Sequence, residues 1–245
     1  MVAISYDKIS INAENNGPFP YTFPIDWGKI CLDLPLFEDA GPVVNDLSRY
    51  HHQMTITGTP LWSHSGALTV LDFGGAVGYL QCPAANSTAL NFTNEDFTLV
   101  AWVYMNIGMA GAGMIMTQGA VNVDGWEWYV FNGSINLRTN QGGSHTGIGT
   151  DGSPLTFNAW HLIGTTRVGT ACQHYIDGLP VAMLAGSLTD PVSCAGGNKF
   201  LIGVQNNEIT NLWDGMMGRP RVWSRDIGAD SMWDIFAKER SLYGV

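Results

Sequence analysis

Short runs in which apolar and polar residues alternate fill most of the chain, and glycine, proline, asparagine or aspartate separates them. KICLDLPLF (residues 29–37) is apolar at Ile30, Leu32, Leu34 and Leu36, a period of two that predicts a strand with one buried face. HQMTITG, ALTVLDF, GYLQCP, GMIMTQG, AWHLIGTTRV, NKFLIGVQ and MMGRPRVWSR follow as further strand-like runs. FTLVAWVYM (residues 97–105) is almost continuously apolar or β-branched, which predicts a strand buried on both faces or central in a sandwich. Asn132–Gly133, inside WEWYVFNGSINLRTN, and Asp177–Gly178, inside CQHYIDGLPVAML, predict tight hairpins. Helical spacing occurs near the end, at Met232, Ile235 and Phe236; Ser231 and Asp234 resemble a capping box, and Lys238 and Arg240 suit a last turn. Residues 1–28, with Pro18, Pro20 and Pro24, predict an extended N-terminal arm. About a dozen strands and one short C-terminal helix, with no linker after the arm, predict an all-β fold: a two-sheet antiparallel jelly-roll sandwich over residues 29–245.

Composition adds limits. Apolar residues make up 45% of the chain and include nine Trp, enough for a large core. Charged residues are only 13%, so the surface is rich in Ser, Thr, Asn, Gln and Gly. A net charge of −10 argues against nucleic-acid binding by phosphate neutralisation. Arg219, Arg221 and Arg225 cluster, and their expected place is a strand edge and loop. No apolar stretch is long enough to cross a membrane, and MVAISYDKISINAEN lacks the basic and apolar regions of an export signal. The four cysteines form no CxxC pair, which disfavours zinc and predicts buried thiols; a Cys172–Cys194 bridge requires neighbouring strands. Asn86, Asn91 and Asn132 begin Asn-x-Ser/Thr sequons, read as unglycosylated without an export signal.

Six stretches in order carry a family likeness: VVNDLSRYHHQMTITG, ALTVLDFGGAVGYLQCP, FTLVAWVYM, NAWHLIGTTR, YIDGLPV and WDGMMGRPRVWSRDIGADSMWDIF. Together, over residues 29–241, they resemble the LamG-like jelly-roll domains of the concanavalin A-like lectin/glucanase superfamily. The resemblance implies a sandwich that works as an adhesive or sugar-binding surface, often with calcium at its rim.

The glucanase branch uses two glutamates in a Glu-x-Asp-x-x-Glu pattern, which places both carboxylates on one strand face. None of the six Glu here has Asp two residues on, and Asp124 and Glu127 are at odd spacing, so that hydrolytic machinery is not expected. Asp46, Ser48 and His51 are too close in sequence for a nucleophile–base–orienter arrangement, and no G-x-S-x-G occurs. His161 is expected to be a packed, hydrogen-bonded strand histidine. For calcium, the resemblance points to Asp46 in the opening turn and Asp214 in the last Asp-Gly turn; for Asp46 the competing reading is an Asx turn closed with Ser48. His51 and His52 are expected to begin the next strand at an exposed edge. Carbohydrate binding calls for an exposed aromatic face flanked by amides and acids. Trp126 and Trp128 alternate on one strand as either platform or core, and Trp213 in a polar loop is expected to be exposed. The polar loop at residues 138–153 has the composition of either a binding rim or a solvated loop.

The resulting expectation is a non-catalytic binding or structural module on a virion, as a capsid-decoration or tail-associated protein assembled in a host cytoplasm. Its arm would dock to a capsid or tail protein, its sandwich would meet surface glycans, and homo-oligomer assembly is compatible with that role. The alternative is a free, extracellular, calcium-assisted lectin-like domain.

Overall fold

The computed structural model describes residues 27–245 apart from residues 59, 67, 77, 110 and 195; all but the last two residues of the expected arm lie outside them. The strand runs pair into two antiparallel sheets. The first contains β1 (Ile30–Asp33), β4 (Leu61–Ser65), β5 (Leu68–Asp72), β7 (Phe97–Met105), β12 (Trp160–Val168), β13 (Ala171–Ile176), β14 (Leu179–Pro180) and β16 (Gly215–Trp223). The second contains β2 (Val43–Asn45), β3 (Gln53–Gly58), β6 (Gly78–Cys82), β8 (Ala112–Ala120), β9 (Asp124–Phe131), β10 (Ser134–Asn140), β11 (His145–Gly149) and β15 (Phe200–Ile202). Their orders are β14-β13-β12-β7-β16-β5-β4, with β1 also on β16, and β11-β10-β9-β8-β15-β6-β3-β2. Neighbours distant in sequence, such as β16 against β7 and β15 between β8 and β6, give the jelly-roll crossing expected from the pattern.

The core lies between the sheets. Phe97, Leu99, Ala101, Val103 and Met105 of β7 point into it, and so do Trp126, Trp128 and Val130 of β9. The alternate residues of β7, Val100 and Trp102, are also buried, in a second cluster with Trp160, Met232, Ile235, Phe236 and Tyr243. That cluster lies under the only α-helix of the described residues, α1 (Gly228–Glu239). The uninterrupted apolar run of β7 therefore has its cause in the helix, which covers the sheet face that water would otherwise wet. The helix begins three residues before the expected capping box. Ser231 is an interior, buried position, and Asp226 instead accepts the Gly228 amide at 2.8 Å. The Asn132–Gly133 hairpin forms as expected, with both residues at positive φ (48° and 81°), as a two-residue turn between right-twisted strands requires. All four cysteines are free, so no Cys172–Cys194 bridge forms, and burial pushes both thiols up to about 12.

Two buried polar devices lock the layers. Glu239, at the end of α1, accepts from Arg221 Nη1 (2.9 Å) and Nη2 (2.8 Å), Arg219 Nη1 (3.1 Å) and Trp102 Nε1 (2.9 Å). Arg219 also contacts Asp33 of β1 at 3.3 Å. Burial would raise the Glu239 pKa, but Arg221 and Arg219 outweigh it and hold the carboxyl below its ordinary range. Arg219 sits at φ 43° in the bulge where β16 loses register with β7 between Gly218 and Arg221, which sends two nearly adjacent arginines to one carboxylate. The expected strand-edge placement of Arg219 and Arg221 is thus corrected: both are buried, because helix and strand enclose them in a charge-matched cluster. The second device joins the sheets. His174 of β13 accepts from the Thr165 hydroxyl at 2.6 Å and donates through Nε2 to the Ile148 carbonyl of β11 at 3.0 Å.

Two predictions follow from these devices. Glu239→Gln leaves two buried guanidinium groups with too little negative charge, and it should cost about 3 kcal/mol in denaturant unfolding; a loss under about 1 kcal/mol would contradict the cluster's role. Burial lowers the His174 pKa to about 4, from an ordinary 6.5. The folded state thus resists protonation that the unfolded state accepts. The stability this imidazole contributes is complete above pH 6.5 and is lost as pH falls toward 4, by ~3 kcal/mol in all. His174→Gln should flatten stability between pH 7 and pH 4.5 relative to the parent chain, whereas equal slopes would show that His174 is not the linked group.

Candidate functional site

The tryptophans expected as a sugar platform are core residues. Trp126, Trp128 and Trp213 each have 0% exposure, so no ring face is offered to a ligand. The physical reason on β9 is its alternation, which turns Trp126 and Trp128 inward. Trp126 packs near Phe92, Phe97 and Phe200 and donates Nε1–H to the Leu90 carbonyl at 2.9 Å. Trp213 is drawn in because its backbone amide bonds to the Gly203 carbonyl (2.9 Å). The polar residues that made its loop look exposed satisfy one another, with Thr210 and Asn211 both donating to Gln205 Oε1.

Asp46 is a buried hub. Its Oδ1 accepts the amides of Asp33 and Ser48, both at 2.8 Å. Its Oδ2 accepts the Ser48 hydroxyl (2.6 Å), the His52 amide (3.1 Å) and His52 Nδ1 (2.6 Å). Burial would raise its pKa, yet the bonds from His52, Ser48 and Asp33 hold the carboxyl below its usual range. Five donors leave no lone pair aimed at a cation, so the turn is closed by its own chain. His52 is buried rather than at an exposed edge, because that carboxylate holds it. Asp214 is half-buried at the rim and accepts Asn106 Nδ2 at 2.8 Å. Asp46 and Asp214 are not brought together into a metal site: among the described residues, no three His, Cys, Asp or Glu side chains are grouped to hold an ion. His161 is packed as expected, with Nδ1 at 2.9 Å from Asp177 and Nε2 at 2.8 Å from Thr156.

The arrangement that the sequence did not single out lies on the outer face of the second sheet. The alternation that buries Trp126 and Trp128 turns Glu127, Tyr129 and Phe131 outward, and pairing sets them beside Arg138, Asn136 and Ser134 of β10. Glu127 has 0% exposure. Its Oε2 is held by Arg138 Nε (2.6 Å) and Nη2 (2.5 Å), and its Oε1 by Gln205 Nε2 (3.0 Å). The Arg138 guanidinium lies over the Tyr129 ring, 5.1 Å from its centre. Burial raises the Tyr129 pKa, so its phenol stays neutral. Phe131 is 49% exposed, an aromatic face open to solvent beside these polar groups. Beside Arg138 and Asn136 the outward positions of β11 are Gly147 and Gly149, and beyond them Leu184 lies half-exposed, its amide on the Gly149 carbonyl at 2.9 Å. On the other side the loop after β15 caps the sheet. Val204 and Leu212 pack with Tyr79 and Leu201, while Glu208 accepts Tyr79 Oη at 2.5 Å and Lys199 Nζ at 2.7 Å. Lys199 and Tyr79 hold the Glu208 carboxyl below its ordinary range. The result is an outward sheet face with polar side chains at its centre, an exposed ring at one end and a loop along one side. The sequence cue was present in the odd positions of WEWYVF, whose even neighbours drew attention as tryptophans.

Comparisons place this fold. Residues 74–231, more than half of the chain, match Laminin_G_3, the Concanavalin A-like lectin/glucanases superfamily. No curated protein matches the chain in sequence. Among solved structures, the receptor binding domain of botulinum neurotoxin D aligns with a TM-score of 0.66 at 13% identity, covering 86% of this chain and 53% of that one. The binding domain of Paraclostridial Mosquitocidal Protein 1 aligns with a TM-score of 0.65 at 15% identity, covering 86% and 52%. Botulinum neurotoxin serotype D ligand binding domain, in complex with N-acetylneuraminic acid, gives 0.65 at 13%, covering 86% and 51%. The chain thus spans about half the length of each of these structures, and at such identities the likeness is one of fold. With the two crossed antiparallel sheets and the family match in agreement, this chain belongs to the Laminin_G_3 family of concanavalin A-like jelly rolls.

Proposed function

We propose that the chain is a non-catalytic saccharide-binding module whose contact surface is the outer face of β9 and β10. The observation that carries this is the exposed Phe131 ring, paired with Ser134 at one end of an outward-facing row that continues through Tyr129 and Asn136 to Glu127 and Arg138. A sugar presents an apolar ring face and a rim of hydroxyls, and such an aromatic, amide and guanidinium set matches both. The related toxin domains are named as receptor- or ligand-binding domains, and one was crystallised with a sugar, which supports a binding role. Glycoside hydrolysis needs two cooperating carboxyl groups, whereas Glu127 is tied to a guanidinium and an amide. For calcium, the five protein donors already on Asp46 favour Asp214 as the candidate position.

Display on a virus particle, through residues 1–28, is the finer form of the proposal. It is tested apart from sugar: the chain should co-sediment with particles of its source, and recovery wholly in the supernatant would contradict it.

A glycan array probed with the whole chain, with and without EDTA, tests the module itself. At least one saccharide should be retained, and Phe131→Ala and Asn136→Ala should each weaken it about tenfold, with stability changed by less than about 1 kcal/mol. Loss of binding with EDTA would restore a calcium role at Asp214. Unchanged binding in both variants would place the sugar elsewhere.

A further inference from the structure

We propose that this outer face selects uncharged saccharides and discriminates against those carrying a carboxylate, with Glu127 and Glu208 as the specificity-determining residues. The inference rests on the proposal that the face binds sugar, and it deepens that reading.

The argument is one of charge pairing. Two cations reach this side of the sheet, Arg138 from β10 and Lys199 from the start of β15, and each already has a carboxylate. Arg138 spends Nε and one terminal nitrogen on a single oxygen of the fully buried Glu127. Lys199 is held at 2.7 Å by Glu208, which also takes the Tyr79 hydroxyl. The geometry by which a guanidinium grips a carboxylate is therefore already occupied from within the protein. A sugar acid arriving here would meet two neutralised pairs in a chain whose net charge is −10. Neutral hydroxyls face no such penalty. They need single donors and acceptors, which the rest of the guanidinium and Asn136 Oδ1 supply, and Phe131 packs on a sugar ring whatever its charge. Glu127 is buried and its carboxylate is held by Arg138 and Gln205, so it acts as a positioning residue. It fixes the guanidinium over Tyr129 and cancels its charge.

The test is direct titration of the whole chain with matched glycans, one member neutral and the other carrying a terminal sialic acid. The parent chain should bind the neutral member about tenfold more tightly or better, because the carboxylate would lose its hydration without gaining an unpaired cation. Glu127→Gln leaves Arg138 unneutralised and should close most of that gap. Glu208→Gln does the same for Lys199 at a partly exposed position, and supplies the answer if the buried substitution unfolds the chain. The quantity read is the ratio of the two affinities within each folded variant, so a common change in both members does not count as a narrowed gap. Preference of the parent chain for the sialylated member would overturn the proposal. So would a gap that neither folded variant narrows. Failure of the parent chain to bind any glycan at all would instead remove the saccharide reading beneath it, a result distinct from binding with the wrong preference.

Discussion

The carboxylate of Glu239 is the point on which the layers of this protein close. It stands at the C-terminal end of α1 and takes both terminal nitrogens of Arg221, one of Arg219, and the Trp102 indole. Through Arg219 the same cluster reaches Asp33 of β1, whose amide bonds to Asp46 and whose carbonyl takes the Leu47 amide. One continuous polar path thus runs from helix to bulged strand to first strand to the opening turn. Such a path stabilises little relative to an apolar core of equal volume, because desolvating its charges offsets their attraction. What it fixes is arrangement: α1 over β16, and β1 beside it, in one register. The apolar residues on the outer face of β7 are covered only when that arrangement holds.

The architecture was legible because it is written in periods. The two-sided apolar run of β7 and the Asn-Gly and Asp-Gly turns each describe a local fact that survives in the fold, whereas the alternation expected over residues 29–37 does not: β1 ends at Asp33 with all four of its residues buried, and Leu36 lies beyond it at φ 60°. Helix placement was legible from Met232, Ile235 and Phe236, but not its start, since the first turn is set by Asp226 and a positive-φ Gly228, and not by Ser231.

Side-chain roles were less legible, for a reason that recurs. A strand's sequence gives alternation but not which alternate set faces inward, and the choice is made by what packs across the sandwich. Trp126 and Trp128 suit a platform or a core equally well until Phe97 of the other sheet is placed opposite, with Phe92 and Phe200 packed alongside Trp126. Once those rings go in, Glu127, Tyr129 and Phe131 must come out. Trp213 misled because its neighbours are polar, yet those groups bond to one another and leave the indole to the core. Likewise DLSRYHH held every group of a reactive centre, and long-range partners decided its role: the Asp33 amide and a buried His52 turned Asp46 into the fastener of a turn.

The site is therefore the by-product of a packing decision. Burying two tryptophans on β9 delivers an acid, a phenol and an exposed phenyl ring to the opposite face, beside the arginine and asparagine of β10. The most direct measurement of this claim is a map of backbone amide NMR shifts on titration with a retained saccharide. The account predicts the largest perturbations at Tyr129, Phe131, Asn136 and Arg138, and little change around Asn106 and Asp214. Perturbations confined to the rim around Asp214, with β9 and β10 silent, would contradict it.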